Sequence, residues 1–347
     1  MARRALTVVI LIALLVLGVR LVTLHPHPAP PPSPLASLAS ATAWLNTSEP
    51  LTPASLDGRV TLVVFWAYSN AQVLPVLPVI AQWYARYHAL GLEVVAVHTP
   101  EFPFERSVIN VQQAIERLAI PYPVAVDSDR RIWTAFRAYE WPSYYVADPD
   151  GALLGFQAGA GREPEVELYL RGLLTEQGHR PVEEPVAHQV GLRSALGHAL
   201  RSSQPDLLWS SGGSLRSPEM VFQLPLGDWF TGPQPPVSDQ PRVYQAPAPL
   251  PLHTAALDGV WQFDDDRARV IGPTGRFVVH YRAARCHLVV EGEPGAVLEV
   301  QVDGARRLVV LDQPRAYTVV AGAPADAHTL DVTLPRGTAL YACTFSE

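Results

Sequence analysis

Residues 59–65 (RVTLVVF) and 92–98 (LEVVAVH) are near-continuous apolar runs rich in β-branched residues, the pattern of strands buried on both faces. Between them, residues 72–90 carry apolar positions at helical spacing. Pro75 and Pro78 fall inside that stretch: one proline fits a first turn without loss, and the other must kink the helix or open its regular part. Residues 107–118 (SVINVQQAIERL) predict a second amphipathic helix, and 122–126 a short strand. Residues 143–147 and 152–156 predict a hairpin around Asp148-Pro149-Asp150-Gly151, a strong turn signal, and 163–174 a closing helix. Beyond residue 254 the pattern changes to short alternating stretches at 259–262, 275–281, 286–290, 297–302, 307–311, 316–319, 328–334 and 339–345, with a turn at Asp303-Gly304.

The first element order predicts a thioredoxin-like α/β domain over residues 42–176, and Trp141-Pro142 stands where that fold places a cis-proline. The second pattern predicts an all-β jelly-roll sandwich over 254–347. Residues 177–253 join them as a connector rich in Pro and Gly, with a short helix expected at 191–200 and irregular chain laid on a domain surface at 224–251.

The N-terminus reads as an address. Met1-Ala-Arg-Arg precedes an apolar segment to residue 24, interrupted only by Arg20, long enough to span a bilayer once Arg20 extends its charge to the interface. Arg3 and Arg4 place the N-terminus in the cytoplasm, so a single-pass plasma-membrane anchor with both domains in the extracytoplasmic (periplasmic) space is expected; a cleaved secretory signal is the alternative. Residues 25–41 read as a polyproline-like spacer, in which His25 and His27, with no third ligand, are solvated rather than metal-binding.

Composition narrows the chemistry. All 26 basic residues among the 347 are arginine, which removes lysine-based catalysis, and a net charge of −7 argues against nucleic-acid binding. Two cysteines, Cys286 and Cys343, cannot build a disulfide framework or a four-thiolate zinc site. No metal and no cofactor are implied.

Several separated motifs occur in order: Phe65-Trp-Ala-Tyr-Ser-Asn-Ala-Gln-Val73 with Pro78, Trp83, Tyr84 and Tyr87; Val97-His-Thr-Pro-Glu-Phe102; Tyr122-Pro-Val-Ala-Val-Asp127; Trp141-Pro142; and Arg216-Ser-Pro-Glu219. From about residue 42 onward the chain resembles the soluble C-terminal part of DipZ-type thiol–disulfide proteins, including their carbohydrate-module-like β-domain. The resemblance implies a CxxC dithiol, yet the two matching positions are Asn70 and Val73. An amide and an isopropyl group can neither attack a disulfide nor resolve a mixed one. Val63 and Val64 stand in the stretch where thioredoxin-like strands often carry a buried acid. The expectation is therefore a redox-silent domain that binds a peptide client or envelope partner through Trp66, Tyr68, Ser69, Glu101, Trp141 and Pro142.

Other readings stay open. A thiol–disulfide oxidoreductase or peroxidase is what the family label implies. A non-thiol acid–base site would need Glu101, Glu105, His98 and Asp127 to converge. Glycan binding would need an exposed aromatic platform, whereas Trp261, Tyr281 and Tyr341 alternate as core residues do. Cys286 shares a strand face with Leu288 and Val290, and Cys343 one with Tyr341 and Phe345; the two either bridge or pack as buried thiols.

Overall fold

The computed structural model describes residues 33–179, 181, 185–186, 219–232, 235–324 and 326–346. The expected anchor, residues 25–32 of the spacer and the helix expected at 191–200 lie outside the described residues. No described helix is long and apolar enough to cross a membrane.

The apolar runs form the middle of a six-stranded mixed sheet. Its strands are β1 (Ala43–Leu45), β2 (Val60–Trp66), β3 (Leu92–His98), β4 (Val124–Val126), β5 (Ser143–Ala147) and β6 (Leu153–Ala158), in the order β1-β4-β3-β2-β5-β6. β2 lies between parallel β3 and antiparallel β5, and all seven of its residues are buried. One face packs Leu62, Val64 and Trp66 against Ile80, Trp83, Val111, Ile115 and Leu170 from three helices, Leu77–Tyr87, Val108–Leu118 and Glu163–Glu176. The other packs Val63 and Phe65 against Ile132 and Phe136 of the helix Arg131–Phe136 and against Leu35 and Leu38.

Two boundaries differ from expectation. Pro34–Ser40 forms a 3-10 helix with Leu35 and Leu38 buried, so the end of the expected spacer belongs to the domain core. The helix expected from 72 becomes regular only at Leu77–Tyr87, with Pro78 in its first turn, because Pro75 and Pro78 bring no N–H to an earlier ladder. The helix Arg131–Phe136 escapes periodicity because it is one and a half turns long; the Asp127 carboxylate caps it, accepting from the Ile132 and Trp133 amides at 3.0 and 2.9 Å.

The second domain contains β7 (Met220–Val221), β8 (Arg242–Tyr244), β9 (Thr254–Phe263), β10 (Ala268–Arg282), β11 (Arg285–Glu291), β12 (Val297–Val302), β13 (Ala305–Val310), β14 (Arg315–Val320), β15 (Ala327–Pro335) and β16 (Ala339–Ser346). All eight expected strands are present; β7 and β8 come from the stretch expected to be connector. Hydrogen bonding runs β13-β12-β15-β10-β16-β11-β14, with β9 on β10, β8 on β9 and β7 on β16. The result is one nearly closed sheet rather than two separate ones. The reason lies in β10, whose start pairs with β16 and whose remainder pairs with β15, with a bulge between Val270 and Gly275 against β9. Gly275 lies against Trp261, whose ring would stand 2.6 Å from any Cβ added there. Trp261, Tyr281 and Phe277 fill the interior and are buried.

Asp303 and Gly304 adopt positive φ (46° and 89°) and close the β12–β13 hairpin. His328 Nδ1 lies 2.5 Å from Asp303 Oδ2, and its Nε2 lies 2.8 Å from the Pro324 carbonyl oxygen. Both ring nitrogens face acceptors, an arrangement only the imidazolium satisfies. Burial opposes its charge, but Asp303 and the carbonyl outweigh burial, and the His328 pKa rises above its ordinary value. Its contribution to stability is complete below the unfolded pKa of about 6.5 and is lost as pH rises through the folded pKa. In denaturant unfolding at pH 5.5 and 8.5, His328→Gln is expected to lose more stability at the lower pH than at the higher.

Candidate functional site

β2 delivers the chain to the turn Ala67–Asn70, and β3 delivers it to the loop that holds Glu101–Arg106. One side chain joins them. Glu105 is buried; its Oε1 accepts from the Ser69 amide (3.0 Å) and hydroxyl (2.6 Å), and its Oε2 from the amides of Glu101 (2.6 Å) and Phe102 (3.0 Å). Burial still leaves its pKa raised, although all four donors pull it down.

Asn70 serves as a cap. Its Oδ1 accepts from the Gln72 and Val73 amides at 2.9 and 3.2 Å, and its Nδ2 donates to Glu101 Oε2 at 3.0 Å. Val73 is fully buried in the core of the domain. Glu101 is half-buried. Burial first, then the Glu219 and Glu105 carboxylates, push its pKa up to about 8 against the pull of Asn70 and Arg130.

The other candidates do not join them in an acid–base site. His98 is buried between the Trp66 edge (5.0 Å between ring centres) and the stacked Tyr68 ring (5.3 Å). Neither of its ring nitrogens has a hydrogen-bond partner among the described residues, and burial pushes its pKa down to about 3. Asp127 is occupied by its helix cap and by Thr99 Oγ1 at 3.1 Å. Among the described residues no cluster could hold a metal ion.

The second domain covers much of this face. Tyr341 packs its ring edge-on against Phe102 and Phe104, at 5.5 and 4.9 Å between centres, within a small cluster shared with Val289, Ala339, Ala342 and Leu74. Its hydroxyl donates to Glu291 Oε2 at 2.6 Å and accepts from Arg267 Nη1 at 2.7 Å. Gln72 Nε2 donates to the Phe345 carbonyl at 3.3 Å. This contact was not foreseen; the pair of phenylalanines flanking Pro103 is its sole local sign.

A cleft of about 420 Å³ remains open beside the contact. Glu101, Arg106, Arg130 and Trp141 line one side, and Gln223 and Asp266 the other. The Arg130 guanidinium lies 5.3 Å from the Trp141 ring centre and donates through Nε and Nη2 to the Pro100 carbonyl at 3.1 and 2.5 Å. The Trp141-Pro142 bond is cis, as expected. Of the residues expected to meet a partner, Trp66, Tyr68, Ser69 and Pro142 are buried, which corrects the expectation for their side chains: they pack the core and the loop junction. Glu101 and Trp141 are the two that reach the cleft.

Comparison with known proteins agrees with this architecture. Residues 39–154 match the model of the AhpC/TSA family, and residues 217–346 that of the thioredoxin-like C-terminal domain. Thiol-disulfide oxidoreductase YkuV of Bacillus subtilis is 30% identical over 142 residues, covering 41% of this chain and 95% of YkuV. The chain belongs to the thioredoxin-like redoxin family. Protein DipZ of Mycobacterium bovis and of Mycobacterium tuberculosis is homologous at 29% identity over 310 residues, which cover 89% of this chain. The chain spans 42% of the length of those DipZ proteins. A solution structure of a thioredoxin-like protein in its oxidised form is 32% identical, covers 39% of this chain and 90% of that one, and has a TM-score of 0.35.

In this redoxin domain, an acid whose folded pKa lies near 8 destabilises the fold as it ionises. Stability is expected to fall as pH rises from about 4.5 to 8, because the native state retains a proton that the unfolded chain has released. Glu101→Gln, with no proton to lose, is expected to flatten that decline in urea unfolding followed across the range.

Proposed function

We propose that the protein is a redox-silent redoxin, anchored in the plasma membrane and facing the extracytoplasmic space, that binds a peptide client or envelope partner. The observation that carries this reading is the absence of sulfur where β2 meets the following helix. Asn70 and Val73 stand there, and the chain's two cysteines, Cys286 and Cys343, are buried in the other domain. Dithiol exchange needs a thiolate to attack and a second thiol to resolve. Asn70 instead spends its amide on the cap and on Glu101, and Val73 spends its methyl groups on the core.

Binding is assigned to the cleft because its two sides come from two domains and it combines an aromatic plane, Trp141, with the carboxyl of Glu101 and the guanidinium of Arg106. An extended segment of a partner fits such a slot, with its side chains meeting Trp141 and its polar groups meeting Glu101 and Arg106. Extracytoplasmic placement rests on the basic and apolar N-terminal segment and on the DipZ resemblance. The β-domain, of carbohydrate-module type by the DipZ resemblance, works here as the second wall of the cleft. Trp261, Tyr281 and Tyr341 are buried and offer no sugar platform.

Purified protein is expected to show no insulin reduction and no peroxide consumption above background; turnover in either assay would establish the oxidoreductase reading instead. Asn70→Cys combined with Val73→Cys is expected to install measurable disulfide exchange in a folded protein. Crosslinking in intact cells is expected to capture a partner from wild type but not from Trp141→Ala. Equal capture by both would remove the cleft from the reading, and retention on peptidoglycan in place of a protein partner would favour glycan attachment.

A further inference from the structure

The two cysteines, far along the chain from the redoxin face, have a geometry of their own. Cys286 lies on β11 and Cys343 on neighbouring antiparallel β16. The register sets Cys286 opposite Phe345 and Leu288 opposite Cys343, so the cysteines are diagonal neighbours on one face. Their sulfurs are 3.4 Å apart, each fully buried among Leu288, Tyr281, Phe345 and Val319. Diagonal side chains across an antiparallel pair are usually too far apart to bond. Here the two sulfurs nonetheless meet, and just beyond them the register shifts between Val289 and Val290. Val289 pairs with Ala342 and Val290 with Leu340, so Tyr341 is the extra residue on β16. The bulge leaves Tyr341 and Ala342 facing the redoxin domain and returns Cys343 to the interior beside Cys286. The face expected to be shared by Cys343 and Tyr341 is thereby split.

We propose that Cys286 and Cys343 close into an intramolecular disulfide that staples β11 to β16 and so fixes the strand that presents Tyr341 to Phe102 and Phe104. Each sulfur has the other as its partner, and among the described residues no third ligand accompanies them to make a metal site. The oxidant is a disulfide of low-molecular-weight or protein origin. One cysteine thiolate attacks a donor sulfur and releases the first donor thiol. The second cysteine then attacks the mixed disulfide at the protein sulfur and releases the second. The donor is reduced to two thiols, which carry the two protons the cysteines gave up, and one sulfur–sulfur bond is transferred to the protein. Full burial, which also drives the Cys343 pKa upward, places this exchange before the sheet has closed and makes the finished bond slow to reduce. It is a structural cystine rather than a shuttle, and it stands independently of what the cleft binds.

The test refolds the reduced, unfolded full chain in a buffer of oxidised and reduced glutathione. The expected product is monomeric, lighter than the reduced chain by two hydrogen atoms, with no thiol titratable in denaturant until reductant is added and two thereafter. It is expected to melt several degrees above the reduced protein, because the bond constrains a long loop of the unfolded chain. Cys286→Ala with Cys343→Ala should melt at one temperature whatever the redox buffer. Two titratable thiols after refolding, glutathione adducts, disulfide-linked dimers, or an oxidised form that melts no higher than the reduced one would each overturn the proposal. The mass and thiol readings need no variant, so they decide the matter even if the double substitution fails to fold.

Discussion

The carboxylate of Glu105 is the constraint on which the site depends. Taking such a group out of water costs several kcal/mol unless it is fully hydrogen-bonded, and here three backbone amides and one hydroxyl supply the bonds. Because those donors belong to two loops after two adjacent strands, satisfying one side chain fixes both loops together. Asn70 then lies within reach of Glu101, and Phe102 and Phe104 are held where the second domain meets them. Loop position, cap and domain contact are thus consequences of one buried carboxyl group and its donors.

The same arrangement suits Asn70 and Val73 to two different surroundings. A position at the mouth of the turn needs a group that accepts from the free amides of the first turn, and the Asn70 side chain does so. A position one turn on faces the core, where an isopropyl group packs without leaving a polar atom unpaired. Each side chain suits its local environment, and neither depends on the other.

Much of the architecture was legible because burial leaves periodicity behind. β2 and β3 are apolar throughout because both faces are covered, and β12 and β15 alternate because one face is. The missing pieces are those whose cause lies far away in the chain. Leu35 and Leu38 are core residues only because the Arg131–Phe136 helix lies over them. β7 and β8 are short and exist because a neighbour offers its edge. The cleft was half legible: Glu101 and Trp141 were identified from the redoxin segments, while Gln223 and Asp266 enter through domain packing. Trp66, Tyr68 and Ser69 look like surface groups in the sequence because they follow a strand. The ring of His98, the helices over β2 and Glu105 turn that strand end into an interior.

The bulge in β16 makes the number of residues in that strand matter as much as their identity. The extra residue lets Tyr341 and Ala342 both turn toward the neighbouring domain while Leu340 and Cys343 keep to the interior; a strand one residue shorter there would offer that domain one side chain instead of two. The number of residues in β16 thus sets how much of the strand faces outward, while the interior beside it stays as it is.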